Sequence, residues 1–265
     1  MSTAFDSAAM AYDRDFSRSQ LGMAQRGQVW SHLEPILRSS PMRVLELNCG
    51  TGVDARHIAS FGHMVLATDA SEGMLRAAHA PVDDPTGPGK VIHERLSFAD
   101  IGARGWQNAF ELVFSDFGGL NCIDQEALHA LCDPLAEALV PGGRFIAVLM
   151  PDRSLVETGY FLLKGRIPDA FRRWRKTAVQ ARVGDGQVAT WYHSPGTMAR
   201  AFSGRFRVRH LRPIGFFIPP GYLEPRFGRR PALTRALGRA DDRIRDQPWL
   251  ARLADHYLID LERMR

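Results

Sequence analysis

Apolar residues along this chain come in two rhythms. Nearly unbroken apolar runs occupy Arg43 to Leu47, His63 to Asp69, the start of the Phe110–Cys122 segment, and the stretch that follows the turn at Val140–Gly143 as far as Met150, with a weaker one, interrupted by His93-Glu94-Arg95, at Val91 to Leu96. Each predicts a buried strand. Between them Val53 to Phe61, Ser71 to Ala80 and Asp124 to Leu139 read as helices. Asp83 to Lys90 is punctuated by Pro85, Gly87, Pro88 and Gly89, and predicts a loop.

Outside this stretch the pattern is less regular. Residues 5–40 repeat apolar positions every three to four residues, with Pro35 kinking or shortening the second helix. Ser154 to Arg175 predicts one or two helices broken near Gly165 and Pro168. Ala178 to Val183 and Gln187 to His193 flank Gly184-Asp185-Gly186 as a hairpin. Pro195 opens a helix to Phe202, Phe206 to Ile214 alternates as a strand, and His256 to Leu261 forms the last strand. The chain divides into a helical cap (1–40), a core (41–150), an insertion with helices and a hairpin (151–205), and the last strands with a Pro/Arg-rich insertion at 219–250 (206–265).

Charge separates the halves. Residues 1–150 carry 11 Lys and Arg against 18 Asp and Glu, whereas residues 151–265 carry 23 against 11. The two halves are therefore expected to face different partners. No apolar run reaches the length of a membrane span. The N-terminus lacks the pattern of a signal peptide, and a cytoplasmic setting is expected. Cys49, Cys122 and Cys132 are too scattered for a disulfide framework or a metal site, and are expected to be small buried hydrophobes.

The chemistry gathers after the first strand, at Glu46-Leu47-Asn48-Cys49-Gly50-Thr51-Gly52-Val53. Glycine allows left-handed turns and close approach of a ligand to the backbone. The helix that follows presents free N–H groups and a partial positive charge. Gly50-x-Gly52-x-x-Ala55 matches a dinucleotide-binding pattern, so NAD is one ligand reading. The other is S-adenosylmethionine (SAM). Asp69, at the end of the second strand, can accept from both hydroxyls of a ribose and serves either ligand; capping the next helix is its plain structural alternative.

Glu46-x-Asn48-x-Gly50-x-Gly52 resembles the first motif of class I SAM-dependent methyltransferases, with Asn48 where that family usually has glycine. The later order of motifs is similar as well, ending in Leu139-Val140-Pro141-Gly142-Gly143 before the fifth strand. The resemblance covers about residues 40–150. It implies an α/β fold: a Rossmann-like, seven-stranded, mostly parallel sheet with helices on both faces and insertions after strands 5 and 6 forming a lid. It implies SAM as cofactor in a crevice of Glu46, Asn48, Gly50, Gly52, Asp69, Ala70, Met74, Asp100, Ile101, Ser115 and Phe117. Asp100 is expected to meet the adenine amino group and Met74 to cover the adenine face. The opening Phe5-Asp6…Tyr12-Asp13 resembles a cap in which Tyr12 lies over the cofactor.

Methyl transfer from an activated donor needs alignment and exclusion of water more than a dedicated catalytic group. Tyr192, His193, Asp116, Asn121 and Tyr160 are the candidates for a catalytic role. The aromatic content of the 151–205 insertion implies an apolar or aromatic small-molecule acceptor, in specialised or quinone-type metabolism. Ser115-Asp116-Phe117-Gly118 differs from the N/D-P-P-Y/F motif of base-amino methylases, so no specific nucleic acid is expected. Two alternatives stand: an RNA methyltransferase using the basic C-terminal half, and an NAD-binding Rossmann protein. The segment 160–176 predicts a helix pair with apolar groups on one face and arginines on the other, suited to the acceptor and to peripheral contact with a membrane surface. Its plain alternative is aromatics packed on the core and arginines left in water.

Overall fold

The apolar runs of the first half pair side by side in the computed structural model, which describes residues 2–12, 16–17, 19–79, 88–184 and 186–265. They are β1 (Arg43–Leu47), β2 (Met64–Asp69), β3 (Lys90–Arg95), β4 (Phe110–Ser115) and β5 (Leu139–Leu149), all parallel to one another. Val179–Val183 (β6) and Gly186–Thr190 (β7) form the separate antiparallel hairpin. Phe206–Ile214 (β8) and His256–Arg263 (β9) complete a seven-stranded sheet in the order β3-β2-β1-β4-β5-β9-β8, in which β9 alone runs against its neighbours.

The runs are continuous because both faces of the sheet are covered. Leu45, Leu47, Val113 and Phe145 point into one core. Val44, Leu112, Phe114 and Ile146, their immediate chain neighbours, point into the other. The helices are α1 (Ser2–Tyr12), α2 (Gln20–Leu37), α3 (Val53–Ser60), α4 (Glu72–Ala78), α5 (Gln125–Ala130), α6 (Cys132–Ala138), α7 (Leu155–Leu163), α8 (Ile167–Ala170), α9 (Pro195–Phe202), α10 (Glu224–Phe227) and α11 (Pro231–Ile244). Leu128, Leu135, Met198 and Phe202 carry α5, α6 and α9 onto the first core. Val29, Leu33 and Ile58 carry α2 and α3 onto the second.

The helix expected over Asp124–Leu139 is two helices, α5 and α6. Pro134 has no N–H to give the carbonyl of Ala130, so the ladder breaks at Leu131. Pro35 sits in the last turn of α2, which ends two residues later. Gly165, at φ +68°, turns the chain between α7 and α8. The 219–250 insertion is largely helical and is tied to α2, where Gln28 Nε2 donates to Asp241 at 3.0 Å. Asp13, Ala80, Asp185 and the 83–87 part of the predicted loop lie outside the described residues.

α1 sits between α4 and the hairpin. Asp6 Oδ1 accepts from Ser71 Oγ at 2.6 Å and Gly73 N at 2.8 Å. On the other side a Cβ at Gly186 would lie 2.6 Å from Ala4 Cβ, so only glycine admits the helix this closely. Among the described residues no helix is long and apolar enough to cross a membrane.

Candidate active site

A cleft opens at the carboxyl ends of β1 and β4, between Tyr12, Arg26, Asn48, Thr51, Asp54 and Asp116. Its floor is the glycine loop. Asn48, Gly50 and Gly52 take φ of 48°, 54° and 74°, a succession of left-handed residues that turns β1 into α3. Asparagine tolerates this region better than other side chains. The Asn48 side chain spans the crevice, accepting from Ser115 Oγ at 2.6 Å and donating to the Asp116 carbonyl at 2.7 Å. The residue that replaces the family glycine thus ties the two loops together.

Three acids converge here. Asp54 accepts from Trp30 Nε1 at 2.7 Å and lies 3.2 Å from Arg26 Nε; Asp116 Oδ2 lies 3.8 Å from the same nitrogen. Glu46 is buried, and its Oε2 has no hydrogen-bond partner among the described residues. Burial pushes the Glu46 carboxyl well up, with the charges of Asp54 and Asp116 adding to it. Asp116 is also pushed well up, by burial and then by Asp54, against the opposing charge of Arg26. Three carboxyl groups around the buried Arg26 guanidinium, with Arg56 also acting on Glu46, make a site rich in acid. A cationic ligand suits such a site, and the sulfonium and ammonium groups of SAM are cations. NAD brings a pyrophosphate, which would meet these acids unfavourably.

Asp69 ends β2, as expected, and its carboxylate is already engaged by the backbone. Oδ2 accepts from Gly50 N at 2.9 Å and Oδ1 from Ser71 N at 2.8 Å. Burial raises its pKa while those N–H groups oppose the rise. The helix cap falls to Ser71, whose Oγ accepts from Met74 N. Each Asp69 oxygen keeps further lone-pair capacity. Ala70 is half-buried, Met74 and Ile101 are buried, and Ser115 is fully buried beneath Asn48. Asp100 is exposed and accepts from Ser97 Oγ at 2.6 Å. Tyr12 lines the cleft, stacks on Phe16 at 5.5 Å, and has its phenol pushed up to about 12, chiefly by burial.

The catalytic candidates separate. Asp116 and the cofactor candidate Phe117 lie at the cleft, the latter at φ +31°. Asn121 is a clamp: it accepts from Met150 N at 2.8 Å and donates to the Trp191 carbonyl at 2.6 Å. His193 is buried with Nε2 at 3.0 Å from the Ile123 carbonyl. Tyr160 accepts from Arg226 at 2.9 Å and packs on the cluster of Leu21, Ile218 and Leu223. Tyr192 is half-buried beneath Arg173, 5.3 Å from its ring.

His256 was not anticipated. It begins β9 opposite Ile214, next to Tyr257, which pairs with Leu149, so it stands on the same rim of the sheet as the β4 loop. Its ring meets Phe117 edge-on at 5.1 Å. Nδ1 lies 3.2 Å from Asp255 Oδ2. Asp255 is held by Gln25 at 3.1 Å and Arg173 at 2.7 Å. Burial works against the Asp255 anion, but His256 and Arg173 hold its carboxyl well below the usual range. Arg26 and Asp54 were also missed. Asp54 had a signal, being an acid in the first turn after the glycine loop; Arg26 and His256 had none.

Residues 44–143 match a family model described as a methyltransferase domain. A demethylmenaquinone methyltransferase of Clavibacter sepedonicus is 29% identical over 208 residues, 74% of this chain and 81% of that protein. A SAM-dependent methyltransferase of Methanosarcina mazei superposes with a TM-score of 0.60 at 14% identity, covering 88% of this chain and 97% of the other. A putative SAM-dependent methyltransferase of Listeria monocytogenes gives 0.60 at 16% identity, covering 91% and 100%. Residues 44–143 thus carry a methyltransferase domain, set in a seven-stranded, Rossmann-like fold of the kind seen in SAM-dependent methyltransferases. The chain is an enzyme that takes its methyl group from SAM.

Proposed function

We propose that the acceptor is an apolar aromatic small molecule with an ionisable hydroxyl, of the quinol kind. Glu46, Asp54 and Asp116 would hold the cationic end of the cofactor, Asp69 its ribose, and Ala70, Met74, Asp100 and Ile101 its adenine, with Tyr12 at the mouth. When bound, SAM supplies a methyl group already activated on a sulfonium sulfur. The chain adds alignment and exclusion of water. An acceptor hydroxyl is a weak nucleophile until it loses its proton, and His256 takes that proton at Nε2. Asp255, 3.2 Å from Nδ1, balances the charge that forms.

The observation that carries this reading is the Asp255–His256 pair set edge-on against Phe117. The aromatic surroundings of that pair, with Tyr192 close to Arg173, support a flat apolar acceptor. The name of the Clavibacter sepedonicus relative, a demethylmenaquinone methyltransferase, supports an acceptor of the same kind. The test is incubation with SAM and a panel of naphthalenediols, phenols, amines and RNA, read by mass spectrometry. Methylation of a diol or phenol is expected, with His256→Gln losing activity most steeply at low pH, where the acceptor is protonated. Transfer to RNA alone would overturn the reading.

A further inference from the structure

The 155–176 segment reverses the expectation made for its arginines. Arg173 is buried and Arg172 half-buried: Arg172 Nε donates to Glu157 at 2.8 Å, and Arg173 bridges Glu157 at 2.8 Å and Asp255 at 2.7 Å. Phe161 is buried under the guanidinium of Arg172, 5.4 Å away. An ion network, Phe161 and Tyr160, which packs on Leu21, Ile218 and Leu223, therefore fasten the inner face. The remaining large apolar residues point outward: Leu163 is 92% exposed, Ile167 61%, Trp174 50% and Leu162 46%. Phe171 stands beside Trp174, ring to ring at 5.2 Å. Lys164, Arg166, Arg175 and Lys176 are exposed among them. The one acid in the outer set, Asp169, is paired with Arg166 at 2.7 Å.

We propose that this outer face docks on an anionic lipid bilayer. Exposed apolar groups on either side of the turn at Gly165 need no shaped pocket and can enter the boundary between headgroups and acyl chains. The surrounding lysines and arginines match lipid phosphates in charge. Leu163 and Ile167, the most exposed of the set, add little to the core. Contiguous exposed apolar groups of this kind mark an interaction surface. The proposal is independent of the acceptor, and its test measures no methyl transfer.

The experiment is co-sedimentation of the whole protein with vesicles of phosphatidylcholine alone and of phosphatidylcholine with phosphatidylglycerol. Binding is expected to the anionic vesicles, weakening as salt rises. The variant Leu163→Asp/Ile167→Asp is expected to lose at least about tenfold in vesicle affinity, because each side chain contributes apolar burial on that scale. Arg175→Gln/Lys176→Gln is expected to lose affinity only for the anionic vesicles. These positions are exposed, so S-adenosylhomocysteine binding and Tm should be unchanged and show that the variants fold. Quenching of Trp174 by brominated lipid, absent in Trp174→Phe, is a second readout. Failure of the parent to bind anionic vesicles, or binding undiminished in the Asp variant, overturns the proposal. So does salt-sensitive binding of RNA by this face with no vesicle binding.

Discussion

Asn48 Nδ2 donates to the main-chain carbonyl of Asp116 at 2.7 Å, binding the loop after β1 to the loop after β4. Gly119 makes room for this contact: a Cβ there would lie 2.1 Å from Asn48 Cγ. Gly119→Ala should therefore displace Asn48 and open the crevice. Overpacking of this kind costs about 1–3 kcal/mol, so S-adenosylhomocysteine affinity should fall roughly tenfold in calorimetry. Asn48→Gly/Gly119→Ala, which removes the clashing side chain, should recover part of the loss. No recovery would falsify the bridge as the cause.

The buried acids predict proton release when the cofactor binds. Glu46 and Asp116 have carboxyl pKa values raised by burial and by neighbouring acids. A cation favours the ionised form, so binding draws their pKa values down and expels protons. SAM carries the sulfonium charge and its demethylated product does not. SAM affinity should thus rise with pH through the raised pKa range, more steeply than product affinity. Calorimetry in buffers of different ionisation enthalpy measures the protons directly. Equal release for both ligands would remove the sulfonium from this cluster.

Asp69 is expected to hold the ribose with capacity left over from its two backbone contacts. Hydrogen bonds to a charged group are worth roughly 1.5–3 kcal/mol each, so Asp69→Ala should lose at least about tenfold in affinity. The same change frees the N–H groups of Gly50 and Ser71, so affinity alone does not separate the two roles. A 2′-deoxy cofactor analogue does. It should bind the parent more weakly than the ribose form and the Ala variant equally well. A deoxy penalty that survives in the variant assigns the ribose to another residue.

Much of the fold was legible because parallel strands covered on both faces must be apolar at every position, as Val44 to Leu47 are apart from Glu46. The glycine loop was legible because a left-handed turn restricts which residues can occupy it. The acid cluster was less so. Arg26, Asp54 and Asp116 come from α2, α3 and the β4 loop, and an arginine on an 18-residue helix reads as a surface residue. His256 acquires its place only because β9 runs backwards between β5 and β8, a pairing that local pattern does not encode. Arg172 and Arg173 looked like solvated charges because Glu157, their partner, lies a helix away along the chain.

The Glu157–Arg173–Asp255 network should set the acid limit of stability. Burial alone would raise the Glu157 carboxyl, but Arg173 and Arg172 hold it below its ordinary value. Asp255 is held down as well, by His256 and Arg173 against burial. Acids with folded pKa values below their unfolded values add stability that is full above the unfolded value, near 4, and lost as pH falls through the folded one. Replacing Arg173 by Met leaves two buried carboxylates with Arg172, His256 and the Gln25 amide but without their shared guanidinium. Breaking a buried pair on one side costs about 3–5 kcal/mol, so Tm at neutral pH should drop by several degrees or more. The carboxyl pKa values should then rise, and the penalty of the substitution should shrink as the solution is acidified and the stranded acids take up protons. Thermal unfolding of parent and Arg173→Met from neutral pH downward checks both. A Tm difference that stays constant down to the ordinary carboxylate range would mean that Arg173 stabilises through packing and not through charge.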